Sequence, residues 1–171
     1  MEVQPDRAAF VRAYADSEPQ VVATTLLADL ETPVSAMLKL SSGQPYSFLL
    51  ESVEGGAVRG RYSMIGLKPD LVWRCRGQAA EINRRARFDR HSFVPEPLPT
   101  MQSLRALIAE SRIELPPGLP PMAAGLFGHM GYDMVRLMER LPSLNEDKLG
   151  LPDAVFLRPT LMAVFDNVLD R

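Results

Sequence analysis

The chain has 171 residues, a formal net charge of −2, 46% hydrophobic and 23% charged residues. That balance is globular, excludes a disordered chain, and is long enough to bury a core without a metal or disulfides. One cysteine, Cys75, cannot form an internal disulfide, and two histidines without a Cys–His cluster argue against structural zinc.

Asp6 is placed to cap a helix running to about Ala15, with Phe10, Val11 and Tyr14 on one face. The β-branched run from Gln20 to Leu27 reads as a strand. Thr32 followed by Pro33 reads as a cap and first helical residue, giving a helix over Pro33–Leu40 with Val34, Met37, Leu38 and Ser41 on its stripe. Strands are expected over Tyr46–Val53, Tyr62–Leu67, Leu71–Arg76 and Ala79–Asn83, with Glu54-Gly55-Gly56 as a turn and Gly77 as a second one. Residues 59–90 hold nine basic and three acidic residues, so this stretch is basic while the remainder is acidic.

Pro95, Pro97 and Pro99 suggest an extended connector. Thr100 is then placed to cap a helix to about Ser111, with Met101, Leu104, Leu107 and Ile108 facing inward. After a proline linker (Pro116, Pro117, Pro120, Pro121), an apolar run from Ala124 to Tyr132 carries glycines at 125, 128 and 131. A helix is expected from Asp133 to about Arg140, and a buried strand over Ala154–Phe165. Asp166-Asn167 forms a turn, and Val168–Arg171 reads as the start of a returning strand. This ending suggests the N-terminal part of a longer protein. Strands joined by short turns and interspersed helices make the fold class α+β, with a mixed, largely antiparallel sheet and packed helices, over one domain spanning 1–171.

Several residues invite a functional reading. Phe48–Val53 sets Glu51 and Ser52 in an apolar strand. A buried carboxylate costs several kcal/mol unless paired, so Glu51 either lines a ligand cavity or sits on an edge facing solvent. Composition alone favours the edge. Arg61, Tyr62 and Ser63 stand across the expected hairpin, and Arg61 is placed for an ordinary ion pair with Glu51 or Glu54. The three glycines match neither a dinucleotide fingerprint nor a phosphate loop, and they read as close backbone packing. His129 and Asp133 need not meet, His91 reads as a solvated loop residue, and Cys75 as a core residue unless its neighbouring arginines lower its pKa. The arginines between 74 and 90 match no nucleic-acid-binding module and read as a solvated face or a docking surface for an acidic partner. Nothing approaches a membrane span or a secretory signal, which fits a cytoplasmic protein.

Three ordered motifs carry a family resemblance: Leu49-Leu50-Glu51-Ser52, then Gly60-Arg61-Tyr62-Ser63-Met64-Ile65-Gly66, then Gly125-Leu126-Phe127-Gly128-His129-Met130-Gly131-Tyr132-Asp133. Together they resemble the N-terminal region of anthranilate synthase component I, in the chorismate-utilising enzyme family. The resemblance runs from the Thr32-Pro33-Val34 helix to Phe165-Asp166, and aminodeoxychorismate synthase component I is similar. His129 departs from the aromatic residue expected there. The resemblance implies a part of the family's layered α/β sandwich. It implies an enzyme, a lyase converting chorismate and ammonia to anthranilate and pyruvate with Mg²⁺. A glutamine amidotransferase, component II, supplies the ammonia, and L-tryptophan inhibits by feedback. It places the chorismate and Mg²⁺ ligands in a C-terminal segment outside this chain, so no catalytic or metal-binding residue is assigned here. The effector motif falls on Leu50, Glu51 and Ser52, with Arg61, Tyr62 and Ser63 as further candidates. A stand-alone amino-acid-binding module and a scaffold that docks a glutaminase-like subunit are the competing readings.

Overall fold

A computed structural model describes residues 2–51, 60–142 and 146–168. The chain divides into two compact units, residues 1–68, 113–125 and 160–171 in the first and 69–112 and 126–159 in the second. Each has its own core.

The first unit opens with a short strand, β1 (Val3–Gln4), paired antiparallel with β2 (Ala23–Thr24). The strand expected over Gln20–Leu27 is therefore only two residues long. Leu26 and Leu27 are exposed, so β-propensity had no buried face to act on. Between these strands lies α1 (Arg7–Ala15), capped by the Asp6 carboxylate, which accepts from the Ala9 N–H at 2.8 Å. Next comes α2 (Pro33–Ser41), with a reciprocal capping box: the Ser35 N–H donates to Thr32 Oγ1 and the Thr32 N–H to Ser35 Oγ. Only part of the expected stripe faces inward. Ala36 and Met37 pack inward, whereas Leu38 is 74% exposed and Val34 is also exposed. The buried cluster is Ala36, Ile65 and Leu67, flanked by Met37, Leu49, Ala163 and Phe165.

Strand β3 (Phe48–Leu50) is shorter than expected, and Ser52, Val53 and the expected turn at 54–56 lie outside the described residues. It runs antiparallel to β4 (Tyr62–Arg76), with Phe48 opposite Gly66 and Leu50 opposite Met64. A Cβ on Gly66 would run into the Phe48 ring, so the bare backbone there makes room for an aromatic side chain. Two strands were expected over 62–76, and one continuous strand is found. Lys68 takes a left-handed φ of +50° immediately before Pro69. That single irregularity accommodates the proline without ending the strand.

The second unit takes up β4 at residue 69 and turns at Gly77-Gln78 into β5 (Ala79–Asn83), pairing Arg76 with Ala79. Gly77, at φ +51°, supplies the positive dihedral the tight turn needs. The expected proline connector contributes β6 (Val94–Pro95), which pairs with β5. Helix α3 (Thr100–Glu110) follows. Thr100 is its first residue, not its cap: the position before it is Pro99, and the Thr100 hydroxyl donates to the Gly77 carbonyl at 2.7 Å. Leu104 and Leu107 are buried as expected, but Ile108 is 47% exposed. Strand β7 (Phe127–Met130) pairs antiparallel with β8 (Ala154–Asp166). The helix expected from Asp133 is a 3-10 helix, Tyr132–Leu137, entered from Gly131. β8 is not uniformly buried as expected, and Leu161 is exposed.

The main sheet has the order β6-β5-β4-β8-β7, with β3 also paired to β4. The pairs β1–β2, β3–β4, β4–β5, β5–β6 and β7–β8 are antiparallel. This is the expected α+β, largely antiparallel class. The second core gathers Leu71, Trp73, Cys75, Ile82, Leu104, Leu107 and Met134.

Charge also organises the second unit. Arg158 holds Asp70 through two hydrogen bonds of 3.0 and 2.8 Å, and Arg84 holds Glu110 through two of 2.5 and 2.7 Å. The Arg84 hydrogen bonds, followed by the charges of Arg84 and Arg158, keep the Glu110 carboxyl below the ordinary carboxylate range. A folded-state value lowered in this way stabilises the fold above the unfolded value of about 4.3, and that stability is lost as pH falls through the folded value. Thermal melts from about pH 6 to 3 should therefore show the native chain losing more melting temperature than Glu110→Gln. Equal losses would mean the pair contributes nothing measurable.

Candidate functional site

The predicted effector residues cluster around the start of β4 in the first unit. Leu50 ends β3, is half exposed, and lies opposite Met64. Glu51 follows directly and is exposed. Of the two readings of Glu51, the structure shows the solvent-facing one, just beyond the strand rather than within it. Ser52 lies outside the described residues.

On β4's side, Ser63 is 1% exposed and Arg61 is exposed. Among the described residues Arg61 pairs with Asp166 rather than with Glu51, and Glu54 lies outside the described residues. Its Nε donates to both oxygens of Asp166 at 3.1 Å, and its second terminal nitrogen donates to Asp166 Oδ2 at 2.8 Å. Such fork-like, charge-assisted bonds fix direction as well as distance. The Asp166 bonds hold the guanidinium still more firmly protonated than usual. The guanidinium carbon also sits 4.9 Å from the centre of the Tyr62 ring, in cation–π range. Asp166 belongs to the Asp-Asn pair that the sequence marked only as a turn.

Asn167 completes the arrangement. Its N–H donates to the Arg61 carbonyl at 2.8 Å and its side-chain amide to the Gly60 carbonyl at 3.2 Å, with Ser63 Oγ at 3.5 Å. The end of β8 is thus fastened to residues 60–63. The same unit holds a cavity of about 330 Å³, lined by Ala28, Asp29, Glu31, Pro33, Phe165, Asp166 and Asn167. Sequence reasoning missed this cavity. Its only signal was the acidic pair Asp29 and Glu31 just before the Thr32-Pro33 helix start.

The other candidates lie elsewhere. Cys75 is buried, donates to Met134 Sδ at 3.6 Å, and has its thiol pushed up by burial, opposite to the lowering that close arginines would cause. His129 is exposed on β7, Asp133 pairs with Arg136, and His91 is exposed. Gly128 packs against the backbone of β8, as expected. The arginine cluster is partly committed within its own unit: Arg74 to Glu81 and the Phe93 ring, Arg84 to Glu110, and Arg76 to the carbonyls of Gly150 and Leu151. Among the described residues no group of three or more His, Cys, Asp or Glu side chains could hold a metal ion. No helix among the described residues is long and apolar enough to cross a membrane.

No protein-family model matches the chain. Individual relatives do. The chain is 58% identical to anthranilate synthase component 1 of Cereibacter sphaeroides over 159 residues, covering 93% of this chain and 32% of that protein. It is 43% identical to the Thermus thermophilus protein of that name, covering 84% and 29%, and 41% identical to that of Mycolicibacterium smegmatis, covering 83% and 26%. The fold is similar to the crystal structure of anthranilate synthase component I from Streptococcus pneumoniae, with a TM-score of 0.53 and 21% identity, over 87% of this chain and 30% of that one. At that identity the likeness speaks for the fold alone. The chain spans between a quarter and a third of the length of these relatives, and over most of its own length it is similar to anthranilate synthase component I.

Proposed function

We propose that this chain is the N-terminal regulatory part of an anthranilate synthase component I. The observation that carries the reading is the 58% identity across 93% of the chain to a protein of that name. In this reading the whole protein is a cytoplasmic lyase of tryptophan biosynthesis. It takes chorismate and ammonia to anthranilate and pyruvate, receives ammonia from a glutamine amidotransferase, component II, and uses Mg²⁺ bound outside the residues described here.

Leu50, Glu51 and Ser52 form the L-tryptophan effector motif, with Arg61, Tyr62 and Ser63 as neighbours. The effector is a zwitterion with an apolar ring, so it needs an acceptor for its ammonium and an apolar wall for its indole. Glu51, exposed at the end of β3, offers the first, and the half-exposed Leu50 beside it offers the second. The ligand acts only if it binds one conformational state better than another, so removing its contacts removes the inhibition.

The test uses the full-length protein with chorismate and an ammonium salt, following anthranilate fluorescence. Anthranilate should form, and the 171 residues alone should form none. Ser52→Arg and Glu51→Lys should raise the tryptophan concentration for half-inhibition on the order of tenfold or more while uninhibited turnover stays largely intact. Absence of anthranilate from the full-length protein would overturn the enzyme assignment. Inhibition that survives both substitutions would overturn the effector assignment.

A further inference from the structure

We propose that Asp166 and Asn167 are positioning residues for the effector corner, holding the start of β4 in the place against which Leu50 and Glu51 are set. The inference rests on the effector reading above and extends it to residues that the motif does not contain.

The geometry runs through one short stretch of backbone. β3 is registered on β4 by Leu49 opposite Ile65 and Leu50 opposite Met64, so Glu51 emerges beside residues 60–63. Those four residues are fastened from the end of β8. Asp166 takes the Arg61 guanidinium in a three-bond fork, the Asn167 N–H takes the Arg61 carbonyl, and the Asn167 amide takes the Gly60 carbonyl. Asp166 is 8% exposed, and its Oδ1 also accepts the Val168 N–H at 3.1 Å, so its carboxylate is held from both sides. Four of these bonds involve a charged group, the class that fixes orientation most strongly. Loosening them frees the start of β4, and with it the relative placement of Arg61, Tyr62 and Glu51, without removing any group that would touch the effector through the motif itself.

The test is made in the full-length protein. Asp166→Asn keeps shape and removes the charge, and Asn167→Ala removes the side-chain bond to Gly60. Each should raise the tryptophan concentration for half-inhibition roughly 2–30-fold, the range over which residues outside the ligand contacts modulate coupling, with kcat and KM for chorismate unchanged. Combined with Glu51→Gln, Asp166→Asn should give less than the product of the two separate shifts, because both act at one corner. A purely structural role would instead lower the melting temperature and kcat together and leave the half-inhibition concentration in place, which would overturn the proposal. If Asp166→Asn does not fold, Asn167→Ala decides alone. Inhibition relieved by Glu51→Lys but untouched by both 166 and 167 variants sinks this inference and leaves the effector reading standing. Inhibition untouched by Glu51→Lys sinks the effector reading, and this inference with it.

Discussion

Trp73→Ala should destabilise the chain by about 3–5 kcal/mol, read as a fall in the urea midpoint at unchanged slope. Trp73 is fully buried on β4, with its ring 6.1 Å from that of Phe156 and tilted by 48°. Its indole N–H donates to Ser103 Oγ at 2.9 Å, and the Ser103 hydroxyl donates onward to Glu96 Oε2 at 2.9 Å. The polar edge of the ring is therefore satisfied inside the core, which is why the largest side chain of the second unit can be sealed there. Truncation removes the apolar contacts and takes away the donor to Ser103 Oγ, whose hydroxyl keeps its bond to Glu96. Ser103→Ala separates the two contributions: it leaves the ring in place but its N–H unpaired, at about 1–3 kcal/mol. If Trp73→Ala cost no more than Ser103→Ala, the packing argument would fail and the hydrogen bond would carry the whole effect.

Gly128→Ala should cost more than about 2 kcal/mol, against the ordinary preference for alanine over glycine in a strand. A Cβ at this position would overlap the Val155 carbonyl oxygen and come within 2.8 Å of its carbon and 2.9 Å of Phe156 Cα. These are backbone atoms of the paired strand, so no side chain can swing aside, and β7 would have to lift from β8. Gly131 gives the comparison. A Cβ there meets only the Asp153 carbonyl at 3.0 Å, so Gly131→Ala should cost less. Denaturant melts of the two variants side by side check the order, and a reversal would mean that β7 is free to shift.

What the sequence showed was what local chemistry decides. Asp6, and Thr32 with Pro33, marked their helix starts because a cap is a contact within three residues. Gly77 marked a hairpin because its dihedral is a local demand. The failures share a physical cause. Val34, Leu38 and Ile108 were assigned inward by periodicity, but periodicity fixes a stripe and not which neighbour covers it. The strands expected over Tyr62–Leu67 and Leu71–Arg76 are one, because the left-handed Lys68 carries the chain through Pro69 without ending the ladder. Thr100 was read as a cap, but its hydroxyl turned instead to a carbonyl 23 residues away. At the candidate site, the motif residues were legible as a pattern. The partner of Arg61 was not, because Asp166 lies 105 residues away and no spacing rule reaches that far.

Cys75 makes the second unit's opening chemically visible. It is the chain's single thiol, shut inside the second core beside Met134, with burial holding it protonated. Alkylating reagents attack the thiolate, so they are blind to the folded second unit and react once it opens. The chain thus carries its own clock for the opening of that unit, readable by mass without an added label. Because no other cysteine competes, every alkylated molecule reports that the layer around Trp73, Leu104 and Leu107 has opened.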